Sequence, residues 1–459
     1  MLICLTAMLV LAFTLPAAAK TTLTVSGSFI NTGFYLTNPA SAVTADEAVS
    51  AAFLEMRANV MFKLQAGSNL WFKFGLNLMD RDWGYADNTG FNRYWDDQRQ
   101  QNSGTPLVVS NNNMGFNDFA NFSEVTHANM TYLVHKGYIW LGRGQSGPSA
   151  LGAMQTSKVG ANRDWKADDD YYDAIAVNQT FGPWNLKASI AKVAENDGPQ
   201  GTADQDYDSY TLGAKYTQKW GYVSGGFNYT RDRATWIKPY WHSDTDKYTP
   251  SAVVYLKLGK AMHLSAEGSY KFGSITNGLY GNADMDIKGW DFALQGEYID
   301  GRFKAGAMFA ITNGQDPTKN TTSATPVKTV GTRPGDSFHP LYAAFGQYDG
   351  LLYSPTSRTG SLWNSTRTNF LHKGLQFYYG FADYRMMEKL WVHAALGFMR
   401  WDEDPRDKDF GTEFDLGANY TIKKGLGLGV HFGYFIPGSW FTAPIGNHLH
   451  LDAELTMKF

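Results

Sequence analysis

Apolar and polar residues alternate one by one along most of this chain. In Met262-His-Leu-Ser-Ala-Glu-Gly-Ser-Tyr-Lys-Phe272 one parity carries Met262, Leu264, Ala266, Gly268, Tyr270 and Phe272, and the other His263, Ser265, Glu267, Ser269 and Lys271. A helix would scatter both sets around its cylinder, whereas a strand sends successive side chains to opposite faces. The last segment behaves alike, with Leu449, Leu451, Ala453, Leu455, Met457 and Phe459 against His448, His450, Asp452, Glu454, Thr456 and Lys458. From Asn69 to Leu78 the apolar parity is Leu70, Phe72, Phe74, Leu76 and Leu78. The chain is therefore read as all-β.

Strands are expected near 22–37, 48–65, 69–79, 123–135, 137–143, 171–181, 184–194, 209–218 and 220–230. Others are expected near 250–258, 261–273, 287–298, 302–312, 371–383, 389–400, 410–422, 425–436 and 446–459. That makes about eighteen, with sixteen the alternative. Short connections, such as Ala66-Gly-Ser, Gly182-Pro183 and Lys423-Lys424, alternate without a break with long polar ones at 38–47, 80–122, 144–170, 195–208, 231–249, 274–286, 313–370, 401–409 and 437–445. Tight turns at one end and longer loops at the other are the asymmetry of an up-and-down membrane barrel; a sandwich or propeller has no reason to sort loop lengths by parity. An even strand count places both termini on the short-turn side.

Composition narrows the class. Aromatics are 15%, charged residues 18% and the formal charge −3, which argues against both intrinsic disorder and a basic nucleic-acid-binding surface. The single cysteine, Cys4, permits no disulfide framework and no Cys-based zinc site. Beyond residue 20 no stretch approaches the run of about 18 apolar residues that a membrane helix needs, so a chain of this kind crosses a bilayer only as a closed sheet. An interior of about eighteen strands is too wide for side chains to fill, so the apolar parity is expected to meet lipid and the polar parity to line water. Trp71, Trp184, Trp220, Trp290, Trp391, Tyr420 and Phe459 lie near strand ends, as interfacial girdles do.

Residues Leu2 to Leu15 are apolar and are followed by Pro16 and Ala17-Ala18-Ala19, the pattern of a cleaved export signal, although no basic residue precedes the run. The expected organisation is a signal peptide over 1–19 and a single transmembrane barrel over 20–459.

With that first segment and the strand series, the final strand Leu-His-Leu-Asp-Ala-Glu-Leu-Thr-Met-Lys-Phe459 resembles that of a Gram-negative outer-membrane porin. The terminal Phe459 is similar to the signal that the barrel-insertion machinery reads in that class. The segment Gly137-Tyr-Ile-Trp-Leu-Gly-Arg-Gly144 resembles the strand before a porin's third external loop. A fainter similarity, in Phe338-His-Pro-Leu-Tyr342 with Tyr348-Asp-Gly350, is to alginate-export-type channels. The resemblance implies an outer-membrane location, a homotrimer, and a loop near 144–170 folded into the lumen, with a long external loop near 313–370.

If that loop narrows the pore, Lys158, Arg163, Asp164 and Lys166 are its constriction candidates, facing Glu55, Arg57 and Lys73 on the wall, because opposed charges at a narrowing set selectivity. Glu267, Lys271, His431, His450 and Asp452 fall on the inward parity as further lumen groups, with His431 expected opposite His450 across the last hairpin. Such histidines suit a hydrated wall better than a metal site, and no metal or other cofactor is expected. The acidic runs Asp168-Asp-Asp170 and Asp402-Glu-Asp404 lack the spacing of a calcium loop. No nucleophile elbow is present in the sequence, and no catalytic residue is assigned.

The leading expectation is passive diffusion of small hydrophilic solutes and ions through a water-filled pore. A channel selective for an acidic oligosaccharide or organic acid is the alternative, and it calls for a basic track or aromatic slide along the lumen. A barrel hydrolase or an adhesin stands behind both.

Overall fold

The computed structural model describes residues 21–37, 50–83, 124–145, 171–194, 207–233, 244–276, 285–313, 329–330, 374–402, 407–440 and 446–459. Among these, every regular element is a strand. They are β1 (Thr21–Thr37), β2 (Ser50–Ala66), β3 (Leu70–Trp83), β4 (Glu124–Val134), β5 (Gly137–Gln145), β6 (Tyr171–Phe181), β7 (Trp184–Ala194), β8 (Tyr207–Gln218) and β9 (Gly221–Asp232). The chain continues through β10 (Asp244–Leu258), β11 (Met262–Thr276), β12 (Met285–Asp300), β13 (Phe303–Thr312), β14 (Thr329–Val330), β15 (Leu375–Met387), β16 (Leu390–Trp401), β17 (Asp409–Lys423), β18 (Leu426–Pro437) and β19 (His448–Lys458).

Each long strand pairs antiparallel with the next, β13 pairs directly with β15, and β1 pairs with β19, which closes the ring. The two-residue β14 lies outside it, parallel to Asp286–Ile287 of β12 beyond the end of β13. The result is a closed barrel of eighteen staves. Staves run from 9 residues in β5 to 17 in β1, and about nine to eleven suffice to cross a hydrocarbon core at a tilt. All eighteen expected strands are present, and the short turns fall at one end.

Those turns need little chain because most reverse through a left-handed residue. Gly182 (φ 56°) and Gly259 (φ 80°) adopt that conformation without a Cβ penalty. Lys136 (φ 57°) is the only non-glycine to do so among the described residues.

Three differences from the sequence reading have physical causes. Strand β10 begins at Asp244, six residues before the expected Pro250. Proline has no N–H to give, and the β10–β11 ladder skips Thr249 and Pro250 before resuming, while pairing with β9 runs straight through. Trp71 and Trp391 are not girdle residues. Trp71 shares its parity with Lys73, and Trp391 with His393, so both point inward; Lys63 Nζ lies 4.5 Å from the Trp71 ring centre and the Arg385 guanidinium 5.8 Å from that of Trp391. Trp184, Trp220, Trp290, Tyr420 and Phe459 are exposed, as a girdle requires.

The two faces sort cleanly. Along β12, Trp290, Phe292 and Leu294 are exposed and Asp291, Ala293 and Gln295 buried. Leu212, Ile190 and Leu396, also outward, are each more than half exposed. A soluble core would bury that parity, so the barrel is inside out: apolar outside, polar within.

Candidate functional site: the inner wall

The inner wall has two unlike halves. On β2 to β10 the inward charges whose side chains are described are all lysine. Lys63 faces Lys73 across β2–β3, and Lys187 and Lys215 are diagonal neighbours on β7 and β8. Lys257 stands near the end of β10. None of these five pairs with a carboxylate among the described residues; Lys215 Nζ instead lies 3.6 Å from the centre of the Tyr222 ring, a cation–π arrangement. Their polar surroundings are uncharged: Asn178, Asn185 and Thr180 form a hydrogen-bonded group, with Asn178 Nδ2 donating to Asn185 Oδ1 at 2.9 Å.

On β11 to β19 the inward charges are mostly acids and histidines, and most of them are buried, though His263 and Glu454 are half-buried. Lys304 Nζ meets Glu297 Oε1 at 2.9 Å, and Lys304 also faces Asp383 in register. Asp383 Oδ1 lies 2.9 Å from His393 Nδ1, across the β15–β16 ladder. Further round, Asp452 takes His431 Nδ1 at 2.8 Å and His450 Nε2 at 3.0 Å. A carboxylate only accepts, so each imidazole donates an N–H to it. Ser269 donates to Asp291 at 2.6 Å, with Lys271 Nζ at 3.6 Å. Paired in this way, the charges avoid the several kcal/mol that an unpaired buried ion costs.

This half corrects three expectations. The wall here is not lined by water: Asp383, Glu413 and Asp415 are fully buried, and Glu267, His431, His450 and Asp452 are buried as well. Its inward parity is also partly aromatic. Phe377, Tyr379 and Phe381 stack at 5.7 and 5.4 Å along β15, and Phe410 packs 5.0 Å from Trp401 and 5.9 Å from Trp440, all of them buried. And His431 stands opposite Asp452, not His450, which faces Gly433.

Of the constriction candidates, Lys158, Arg163, Asp164 and Lys166 lie outside the described residues, as do Asp168 to Asp170 and most of 144–170 and 313–370. Glu55 and Arg57 occupy inward positions of β2, opposite Thr32 and Ile30, with their side chains outside the description. Lys73 is on the inner wall, and Lys271 is partly exposed beside Asp291. Among the described residues no group of three or more His, Cys, Asp or Glu is arranged to hold a metal ion.

Sequence reading missed Asp383 and the aromatic inner column. Its signal was present, since over 375–383 the parity holding Asp383 also holds Phe377, Tyr379 and Phe381. A strand apolar on both faces is packed on both.

Comparison with solved structures finds several that align along nearly the whole chain at low identity. OpdQ of Pseudomonas aeruginosa has 10% identity and a TM-score of 0.49, the alignment covering 95% of this chain and 97% of that one. An anion-selective porin from Comamonas acidovorans has 12% identity and a TM-score of 0.47, covering 96% and 100%. OccAB4 of Acinetobacter baumannii has 12% identity and a TM-score of 0.48, covering 97% and 100%. No protein-family description and no curated protein matches the sequence.

Proposed function

We propose that this chain is an outer-membrane channel that lets small hydrophilic solutes and ions diffuse through its lumen, without catalysis or a cofactor. The observation carrying this reading is the inverted sorting of the closed barrel: exposed Leu, Ile, Val and aromatic residues outside, lysine and amide side chains inside. Backbone polar groups in lipid must all be paired, and closure of β1 on β19 leaves no free edge. The test is purified protein added to a planar bilayer, where stepwise conductance is expected. Silent insertion, seen as protein in the membrane with no current, overturns the channel.

A second reading refines the first: the channel favours anionic solutes, small organic acids among them. It is supported by Lys63, Lys73, Lys187, Lys215 and Lys257, which have no carboxylate partner among the described residues, while Glu297, Asp383 and Asp452 across the barrel are buried and paired. A permeating ion feels the charges it can approach, because those beyond a Debye length of roughly 8–10 Å are screened. In a salt gradient the reversal potential is expected to carry the sign of anion preference; a cation-preferring potential refutes it. Entry through the insertion machinery that reads Phe459, and assembly as a trimer, belong to the same proposal and are checked by depletion of that machinery and by cross-linking in membranes.

A further inference from the structure

The short-turn end of the barrel is predominantly basic. Six of its eight turns hold a basic residue: Lys136, Lys219, Lys260, Arg302, Lys389 and Lys424. All six are exposed. None makes an ion pair with a described residue, and the side-chain polar contact found for them is Lys389 Nζ donating to the Ile422 carbonyl at 3.3 Å. Within two residues of these turns the acids are Asp300 and Glu388 alone, whereas Lys257, Lys304 and Lys423 add to the positive side.

The long-loop end differs. There the charged residues at described strand ends meet opposite partners: Arg233 with Asp246 at 2.7 Å, Lys288 with Asp286 at 3.2 Å and Arg143 with Asp173 at 3.6 Å. Solvation alone would account for mixed charge, but it does not account for a row of bases without acidic partners among the described residues of the short-turn end.

Each basic turn except those of Lys136 and Lys219 also abuts an exposed outward apolar side chain. Leu258 and Met262 flank Lys260, Phe303 follows Arg302, Met387 lies two residues from Lys389, and Ile422 two from Lys424, while Trp220 beside Lys219 is exposed in its turn. An ammonium or guanidinium set just beyond an apolar band occupies the depth where headgroup phosphates sit above acyl chains, and a flexible lysine stem reaches that depth from either side.

We propose that the short-turn rim binds the phosphates of anionic phospholipids in the surrounding leaflet, and so recruits an anionic lipid annulus at that end of the barrel. A base at a negatively charged surface gains about fivefold in local affinity at low salt. The inference rests on the membrane-barrel reading proposed above. A soluble acidic protein is the other occupant that such a rim would attract; the apolar band beside the bases favours lipid.

The test uses the full chain reconstituted in phosphatidylcholine vesicles holding trace spin-labelled phosphatidylglycerol or phosphatidylcholine, and reads the motionally restricted fraction of each. The natural protein is expected to restrict the anionic label severalfold more than the neutral one. K136Q/K219Q/K260Q/K389Q is expected to bring the two to parity, and arginine at the same positions to restore the difference. Should the fourfold variant not fold, 1 M salt, where screening acts over about 3 Å, removes the preference of the natural protein instead. Equal restriction of both labels overturns the proposal, as does a preference that survives both the variant and high salt. Loss of the preference on adding inorganic phosphate points to a free-anion site and also overturns it. Flotation with the vesicles is scored separately: protein that fails to float refutes the barrel reading, and protein that floats without preference refutes the annulus alone.

Discussion

Replacing Lys304 by methionine separates a buried wall from a wet one. The Lys304–Glu297 pair is 2.9 Å apart, with side chains only 3% and 2% exposed. Methionine keeps most of the stem that packs toward the Phe381 ring, 5.1 Å from the lysine nitrogen, so the loss is chiefly electrostatic. It leaves Glu297 buried with Gln295 Nε2, at 2.6 Å, as its remaining donor. Stranding one member of a buried ion pair costs about 3–5 kcal/mol; the surviving hydrogen bond places K304M near the lower end, about 3 kcal/mol. In E297Q/K304M Glu297 is no longer a stranded charge and Asp383 keeps its His393 partner, so stability is expected to recover most of the loss, since neutral replacement of a buried pair is often tolerated. The comparison is Lys187→Met on the opposite wall, where an exposed lysine without a carboxylate partner is expected to cost less than about 0.5 kcal/mol. The assay is equilibrium urea unfolding of the reconstituted barrel, followed by tryptophan fluorescence. K304M within about 0.5 kcal/mol of the natural protein would mean that water reaches Glu297 and that the two halves of the wall do not differ. A double variant no better than the single one would refute the account of stranded charge.

Asp452→Asn removes a carboxylate that accepts from two imidazoles, and its amide nitrogen would then meet a ring N–H; a loss of about 2 kcal/mol is expected in the same unfolding assay, and an unchanged midpoint would remove Asp452 from the wall's support. Gly27 exchanges backbone hydrogen bonds with Phe459 at 3.0 and 3.1 Å, and a Cβ there would sit 2.5 Å from the Asn59 carbonyl oxygen and 2.7 Å from the Phe459 ring; Gly27→Val is expected to cost about 1–3 kcal/mol and to lower the temperature at which the compact form is lost on a gel. K187Q/K215Q is expected to move the reversal potential toward zero while the barrel stays folded, and no movement would take these lysines out of the selectivity argument. In the external connection, the backbone N–H of Asp409, at 3.0 Å, and then the Ser439 hydroxyl hold the Asp407 carboxyl below the usual carboxylate range. Its folded value is depressed, so its contribution is complete above the unfolded value and fades as pH falls through the folded one. Amide exchange at Asp409 is expected to quicken over that acid window, and D407N to show no such step.

Face and closure were legible because each follows from a local regularity. Alternation along a strand needs only the sequence of that strand, and the sorting of connections by length needs only their order. What a side chain meets across a ladder is another matter, because register depends on stagger and on bulges. The irregularities between Ala58 and Asn59, and between Gly75 and Leu76, shift pairings without leaving a mark in the alternation around them. Stagger alone acts in the same way: His431 could be placed on the inner face from sequence, while its partner Asp452 could not.

Burial escaped the sequence for a different reason. A polar residue on the inward parity reads the same whether water or protein covers it, so Lys187 and Asp452 look alike although one is exposed and the other buried. Only β15, apolar on both parities, announced a packed inner surface. The distinction reverses the inference drawn from overall charge. A formal charge of −3 counts every carboxylate equally, including Asp383, Glu413 and Asp415, which no solute in the lumen can touch. Coulomb interactions are weighted by access to the ion, so the buried and compensated acids drop out and the unpaired lysines remain. A chain that is slightly acidic as a whole can therefore present a basic surface to whatever passes through it.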